Sequence, residues 1–207
     1  MPSSSEAAVE QASDFEITAG RKTALRARSP GEPAMWFFVI GDLWIFTCYF
    51  ACYAFDRGQD PVGFLQGQQS LSQGIGVFNT ILLLTSSLLI AFFVQAARAG
   101  AIKQASRWLL LGGGCGVAFL IVKVSEWYMK ISAGLPQDSD PFFVYYFVFT
   151  GLHFLHVCLG LVILALVLRA LNEAESPPIA FVESGAIYWH FVDLLWIIIF
   201  ALLYLLR

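Results

Sequence analysis

Of 207 residues, 58% are hydrophobic and only 13% charged, with 12 Lys and Arg against 15 Asp and Glu for a net charge of −3. A soluble domain carries ~25% charged residues, so this chain cannot cover a globule with polar surface. The composition excludes a soluble enzyme, a disordered chain and a nucleic-acid binder, which needs a clustered basic face. With a mean hydropathy of +0.70, an integral membrane protein remains.

Residues 1–33 are rich in Ser, Ala and Glu, carry Arg21, Lys22, Arg26 and Arg28, and close on Pro30-Gly31-Glu32-Pro33. They hold no apolar run of signal-peptide length and are expected to form a mobile cytoplasmic tail. The rest, 34–207, reads as one membrane domain. Five apolar stretches, about 34–55, 75–97, 107–128, 142–168 and 186–206, each approach the ~20 residues that cross ~30 Å of hydrocarbon. Backbone groups in lipid must be satisfied within their own segment, which demands helices. Runs such as Ile81-Leu82-Leu83-Leu84 and Ile197-Ile198-Ile199-Phe200 also lack the alternation of a barrel strand. The expected fold is all-α, a polytopic bundle of five transmembrane helices.

Breakers separate the spans at Asp60-Pro61, at Ser132-Ala133-Gly134-Leu135-Pro136 and at Ser176-Pro177-Pro178. Eight Lys or Arg lie on the side of the N-terminus (the four of the tail, Arg98, Lys103, Arg107 and Arg169) and three on the other (Arg57, Lys130 and Arg207). That bias predicts a cytoplasmic N-terminus and a periplasmic C-terminus in a bacterial inner membrane. Trp36, Trp108, Trp127, Tyr188 and Tyr204 stand near span ends, as interfacial anchors would. Cys48, Cys52, Cys115 and Cys158 fall inside spans and are expected to pack as small apolar residues, with no disulfide. Gly112-x-x-x-Gly116 suits close helix approach.

An ionisable group at bilayer depth is costly, so each one requires a reason. The spans contain Asp42, Lys123, Glu126, His153, His156, His190 and Asp193. At ~1.5 Å per residue, Asp42 and Asp193 lie ~10–12 Å from the cytoplasmic ends of their spans, with the His153/His156 pair near the midplane. Lys123 and Glu126, three apart on one face, can pair or snorkel outward. Three chemistries fit these residues. Imidazole with carboxylate can hold a metal or haem, a chain of such groups can relay protons, and the same groups can bond helices to one another. The third is favoured, and on it Asp193→Leu should destabilise the bundle by ~1–2 kcal/mol. No Ser/His/Asp or Cys/His arrangement, phosphate-binding glycine loop or Cys-x-x-Cys is present, so no catalytic, cofactor-binding or metal residue is assigned.

Five motifs in order carry a resemblance. They are Gly41-Asp42-Leu-Trp-Ile-Phe46, Phe78-Asn79-Thr80, Ser125-Glu126-Trp-Tyr128, Thr150-Gly-Leu-His153-Phe-Leu-His156-Val-Cys-Leu-Gly160 and Glu183-Ser-Gly-Ala-Ile-Tyr-Trp-His190-Phe-Val-Asp193-Leu-Leu-Trp196. Together, over residues 34 to 206, they resemble cytochrome c oxidase subunit III. Asp42 stands where that family usually has Glu, and Phe92-Phe93-Val94-Gln95 replaces a customary His pair. The long form's first two helices have no counterpart here, so its phospholipid-filled cleft is not carried over, although bound lipid on the exposed face is expected. The motifs add Asn79 and Glu183 to the seven ionisable residues as an expected intramembrane polar network.

The resemblance implies a non-catalytic accessory or assembly subunit with no redox cofactor of its own. Haem, with copper or non-haem iron, would belong to a partner, the haem-copper catalytic subunit. Two short branches fit the length, subunit III of quinol oxidases and the NorE-type protein associated with nitric oxide reductase. Arg57-Gly-Gln-Asp-Pro61, Leu84-Thr-Ser-Ser87 and Gln95-Ala-Ala-Arg98 look more like the NorE-type branch, which implies a role in denitrification. The alternatives are subunit III of an aerobic terminal oxidase and a free-standing membrane protein that binds metal or haem through His153, His156 and His190.

Overall fold

A computed structural model describes residues 33–134, 141–173 and 179–206, and among these described residues there are six α-helices. Of the expected tail, residues 1–33, all but Pro33 lie outside the described residues, as do the breakers at Leu135-Pro136 and Ser176-Pro177-Pro178. The helices are α1 (Pro33–Gln59), α2 (Pro61–Gln69), α3 (Gln73–Arg98), α4 (Ile102–Ser132), α5 (Pro141–Glu173) and α6 (Ile179–Phe200). A π-helical turn, Ala201–Leu205, extends α6. All of these except α2 are long and apolar enough to cross a membrane, the last as the span Ile179–Leu205. The fold is the expected all-α bundle of five membrane helices.

The helices overrun the apolar stretches because polar residues at their ends find partners. The last helix starts at Ile179, well before the apolar run, since Ser184 Oγ donates to Ala180 O and Glu183 pairs with Arg98 of α3. The Asp60-Pro61 breaker starts a helix as well as ending one. Asp60 Oδ1 accepts from Gly63 N, and Pro61 fills the first turn of α2, where no backbone donor is needed. Within the spans, Thr47, Thr80, Ser125 and Thr150 each donate to the carbonyl four residues back, which makes their hydroxyls tolerable in hydrocarbon.

The α3 and α4 helices make the most extensive pairing, antiparallel across a turn at Gly100, whose φ of +73° suits a residue without Cβ. The α6 helix packs on both α3 and α5, and α4 also packs on α5. In its most apolar window α6 is 61% buried, against 11% for α1. The centre of the bundle is therefore α6, and α1 is its most loosely held member.

Two expectations about single residues are corrected here. Tyr188 and Tyr204 are 1% exposed and serve the core, where their hydroxyls have partners, and are not interfacial anchors. Cys48 and Cys52 are exposed on α1 and do not pack inside, because that helix turns only a narrow face to its neighbours.

Candidate functional site

The polar side chains of the spans gather in distinct groups, each joining particular helices. The first lies toward the α2 end of the bundle. Lys123 Nζ donates to Glu126 Oε2 at 2.9 Å, one turn along α4, and the two side chains are 0% and 1% exposed. Tyr204 OH donates to Glu126 Oε1 at 2.8 Å and lies 3.1 Å from Lys123 Nζ, with Tyr146 OH at 3.4 Å. The ammonium also sits over the rings of Tyr146, Trp196 and Tyr204, at 4.9, 5.1 and 5.6 Å. Each charge thus has both an opposite charge and hydroxyl or ring partners, the condition under which an ion pair is tolerated at this depth. Of pairing or snorkelling, the pair pairs.

The π-helical turn explains how Tyr204 reaches this site. One extra residue in the turn shifts the register of everything beyond Phe200. Its carbonyls are used as well: Leu202 O accepts from Gln68 Nε2 at 2.9 Å and Tyr53 OH at 3.2 Å, and Tyr204 O accepts from Gln73 Nε2 at 3.0 Å. One turn therefore receives donors from α1, α2 and the start of α3. Lys130 adds a bond to Ser70 O at the same end.

The second group is Asp42 with His156, whose Oδ2 and Nε2 are 2.9 Å apart between α1 and α5. His156 Nδ1 lies 2.7 Å from Leu152 O. A carbonyl only accepts, so Nδ1 carries hydrogen; a neutral ring then has a bare Nε2. This 2.9 Å contact brings α1 against α5, although Asp42 Oδ2 makes no hydrogen bond of normal geometry.

The third group centres on two tryptophans of α6. Trp189 Nε1 donates to Ser86 Oγ at 2.9 Å, and Ser86 Oγ donates to Gly112 O at 2.7 Å. Its ring lies between Gly116 of α4 and Gly160 of α5, where an added Cβ would come within 2.6 and 2.9 Å of it. The Gly112/Gly116 pair thus admits Ile90 at one glycine and the indole at the other. Trp196 Nε1 donates to Thr80 Oγ1 at 3.1 Å, and its ring lies 4.8 Å from Phe119 and 5.2 Å from His153. His153 and Asn79 are 0% exposed, and none of their side-chain nitrogen or oxygen atoms has a hydrogen-bond partner among the described residues.

The last group lies between α3 and α6. Ser87 Oγ is 2.7 Å from His190 Nδ1. Ser87 is also within reach of Asp193, whose carboxyl oxygens are buried without a hydrogen bond of normal geometry. At the far end Arg98 donates twice to Glu183 Oε1, at 2.8 and 3.1 Å.

Of the nine residues named for a polar network, the structure pairs Lys123 with Glu126 and Asp42 with His156. Glu183 and His190 bond to Arg98 and Ser87, and Asn79, His153 and Asp193 make no such bond. The three histidines do not converge: His153 faces aromatic rings, His156 faces Asp42, and His190 faces Ser87. No group of three His, Cys, Asp or Glu side chains is placed to hold a metal among the described residues. His153, His156 and His190 therefore do not form one shared ligand set.

Sequence reasoning missed Tyr53, Gln68, Ser86, Ser87, Tyr146, Trp189 and Trp196 as bonding residues. Their hydroxyl, amide and indole groups were the available signal, since a buried polar tip requires a partner.

Residues 31–207 match the family described as cytochrome c oxidase subunit III. Among curated relatives, subunit 3 of the cytochrome bo(3) ubiquinol oxidase of Buchnera aphidicola is 27% identical, over 83% of this chain and 84% of its own length. Cytochrome c oxidase subunit 3 of Thermostichus vulcanus is 32% identical, over 82% and 84%. A protein of Aeropyrum pernix named heme-copper oxidase subunit I+III is 33% identical over 83% of this chain, which matches 22% of that longer protein.

Proposed function

The chain belongs to the cytochrome c oxidase subunit III family, and from that premise we propose that it is a non-catalytic accessory subunit of a haem-copper respiratory complex. In this reading it sits in the membrane beside the haem-bearing catalytic subunit, stabilises it and aids its assembly. Redox centres belong to that partner, and bound phospholipid lies on the exposed faces. The carrying observation is that the bonded polar groups of the spans join helix to helix, through Trp189 to Ser86, Trp196 to Thr80, Tyr204 to Glu126 and His190 to Ser87. The relative that joins subunits I and III in one name favours subunit I as the partner.

Two complexes fit. The curated relatives are named as subunits of ubiquinol and cytochrome c oxidases, which favours a terminal oxidase. The runs 57–61, 84–87 and 95–98 favour nitric oxide reductase. Purification of the tagged chain from native membranes, with its partners identified, separates the two. The expected product contains a haem-copper catalytic subunit, whereas the chain stripped of that partner shows no haem band. A stoichiometric haem band retained by the isolated chain would overturn the accessory role. His156→Ala, which removes one of the contacts that hold α1 to α5, is expected to lower the yield of assembled complex while turnover per assembled core stays constant.

A further inference from the structure

The outer face of α6 carries a stripe at three- and four-residue spacing: Ile187, His190, Leu194 and Ile197. Leu194 and Ile197 are 49% and 40% exposed, and Ile187 and His190 are half-buried. The α3 helix borders this stripe, with Ser87 bonded to His190 and the neighbouring Leu84 and Leu88 exposed. His190 lies close to the centre of the 27-residue span Ile179–Leu205.

The two partly exposed histidines of the spans differ in one respect. His156 has both ring nitrogens facing oxygens of the chain, Nδ1 at 2.7 Å from Leu152 O and Nε2 at 2.9 Å from Asp42 Oδ2, the latter without hydrogen-bond geometry. His190 has only Nδ1 engaged, and no hydrogen bond is made at Nε2 among the described residues. Acyl chains cannot satisfy a ring nitrogen, so in hydrocarbon its match is a polar group on a packing helix. The leucines and isoleucines around His190 give the apolar surface on which another helix packs. The Asp42/His156 face makes no such demand.

Resting on the accessory-subunit reading, we propose that a transmembrane helix of the haem-bearing catalytic subunit docks on the α3/α6 face and hydrogen-bonds His190 Nε2 at mid-membrane. The test places a photoreactive benzophenone side chain at Leu84 or Leu194, or at Leu155 or Val162 of α5, in the full chain in native membranes. Leu84 and Leu194 are expected to form adducts with a membrane-spanning peptide of the catalytic subunit, and Leu155 and Val162 with lipid. His190→Leu is expected to cut co-purifying catalytic subunit about tenfold, the size of one intramembrane hydrogen bond, with His190→Gln retaining more of it.

Catalytic-subunit adducts from Leu155 and Val162 but not from Leu84 and Leu194 would overturn this face and leave the accessory role standing. Adducts from all four positions would overturn the restriction to one face. Adducts of Leu194 only with lipid, or with a second copy of the chain, would overturn the docking. Co-purification unaffected by His190→Leu would overturn the bond at Nε2. No catalytic-subunit adduct at any position, together with no co-purification, would overturn the accessory role itself.

Discussion

Lys123 and Glu126 are the residues whose burial most needs explaining, and their partners supply the explanation. Each charge faces the other, and Tyr204 touches both, so removing one member leaves the other uncompensated. Lys123→Met is therefore expected to destabilise the chain by ~3–5 kcal/mol in detergent unfolding, while Lys123→Met combined with Glu126→Leu costs clearly less. Equal losses for the single and double variants would contradict the pairing. Asp193 gives the opposite expectation. Composition alone suggests that Asp193→Leu removes a useful hydrogen bond. The structure shows no hydrogen bond of normal geometry at either oxygen, and an unbonded buried carboxyl costs stability. The isolated variant should melt no lower than the parent, and a lower melting temperature would show that the carboxyl is bonded after all.

At the scale of elements, contact between α4, α5 and α6 depends on two glycines that flank one indole. A Cβ at Gly116 would lie 2.6 Å from the Trp189 ring, whereas one at Gly113 would meet Leu161 at an ordinary 3.8 Å. Gly116→Val should cost ~1–3 kcal/mol, the range for an overpacked core, and Gly113→Val little. Thermal melts of the two variants side by side test this; similar losses would mean the Trp189 slot is not specifically packed. The π-helical turn works by a different principle. It frees the Leu202 carbonyl, because Leu206 N bonds Ala201 O instead, and Tyr53 and Gln68 donate to it; Gln73 donates to Tyr204 O in the last turn, where a helix carbonyl is open in any case. The α2 helix, which reads from sequence as part of a loop, is held through Gln68 in this way.

Across the whole molecule, burial grades from a central α6 to a peripheral α1. A narrow face holds α1: Asp42 against His156, Phe38 against Tyr188, Phe46 and Phe50 against His156 and Phe149, Tyr53 against Tyr145 and bonded to Leu202 O, and Tyr145 OH to Asp56 at 2.5 Å. A helix so attached opens before the rest. Asp42→Leu is expected to speed amide exchange within 33–59 while α3, α4 and α6 keep their protection. Protection lost evenly along the chain would show that α1 is integral to one cooperative unit.

The membrane habitat, the five helices and the family were legible in the sequence. Each rests on local information: a span needs only enough consecutive apolar residues, and the motifs around Asn79, His153, His156, His190 and Asp193 are contiguous. The rarity of charge within the spans also marked which residues demanded explanation. Their partners were not legible, because partners are chosen across distance in the chain. Trp189 bonds Ser86 over 103 residues, and Tyr53 bonds Leu202 over 149. Periodicity shows which residues share a face of one helix, but not which face of another helix it meets. Tertiary packing alone decided that Lys123 is paired while His153 is not, and that His156 Nε2 faces Asp42 while His190 Nε2 makes no hydrogen bond among the described residues.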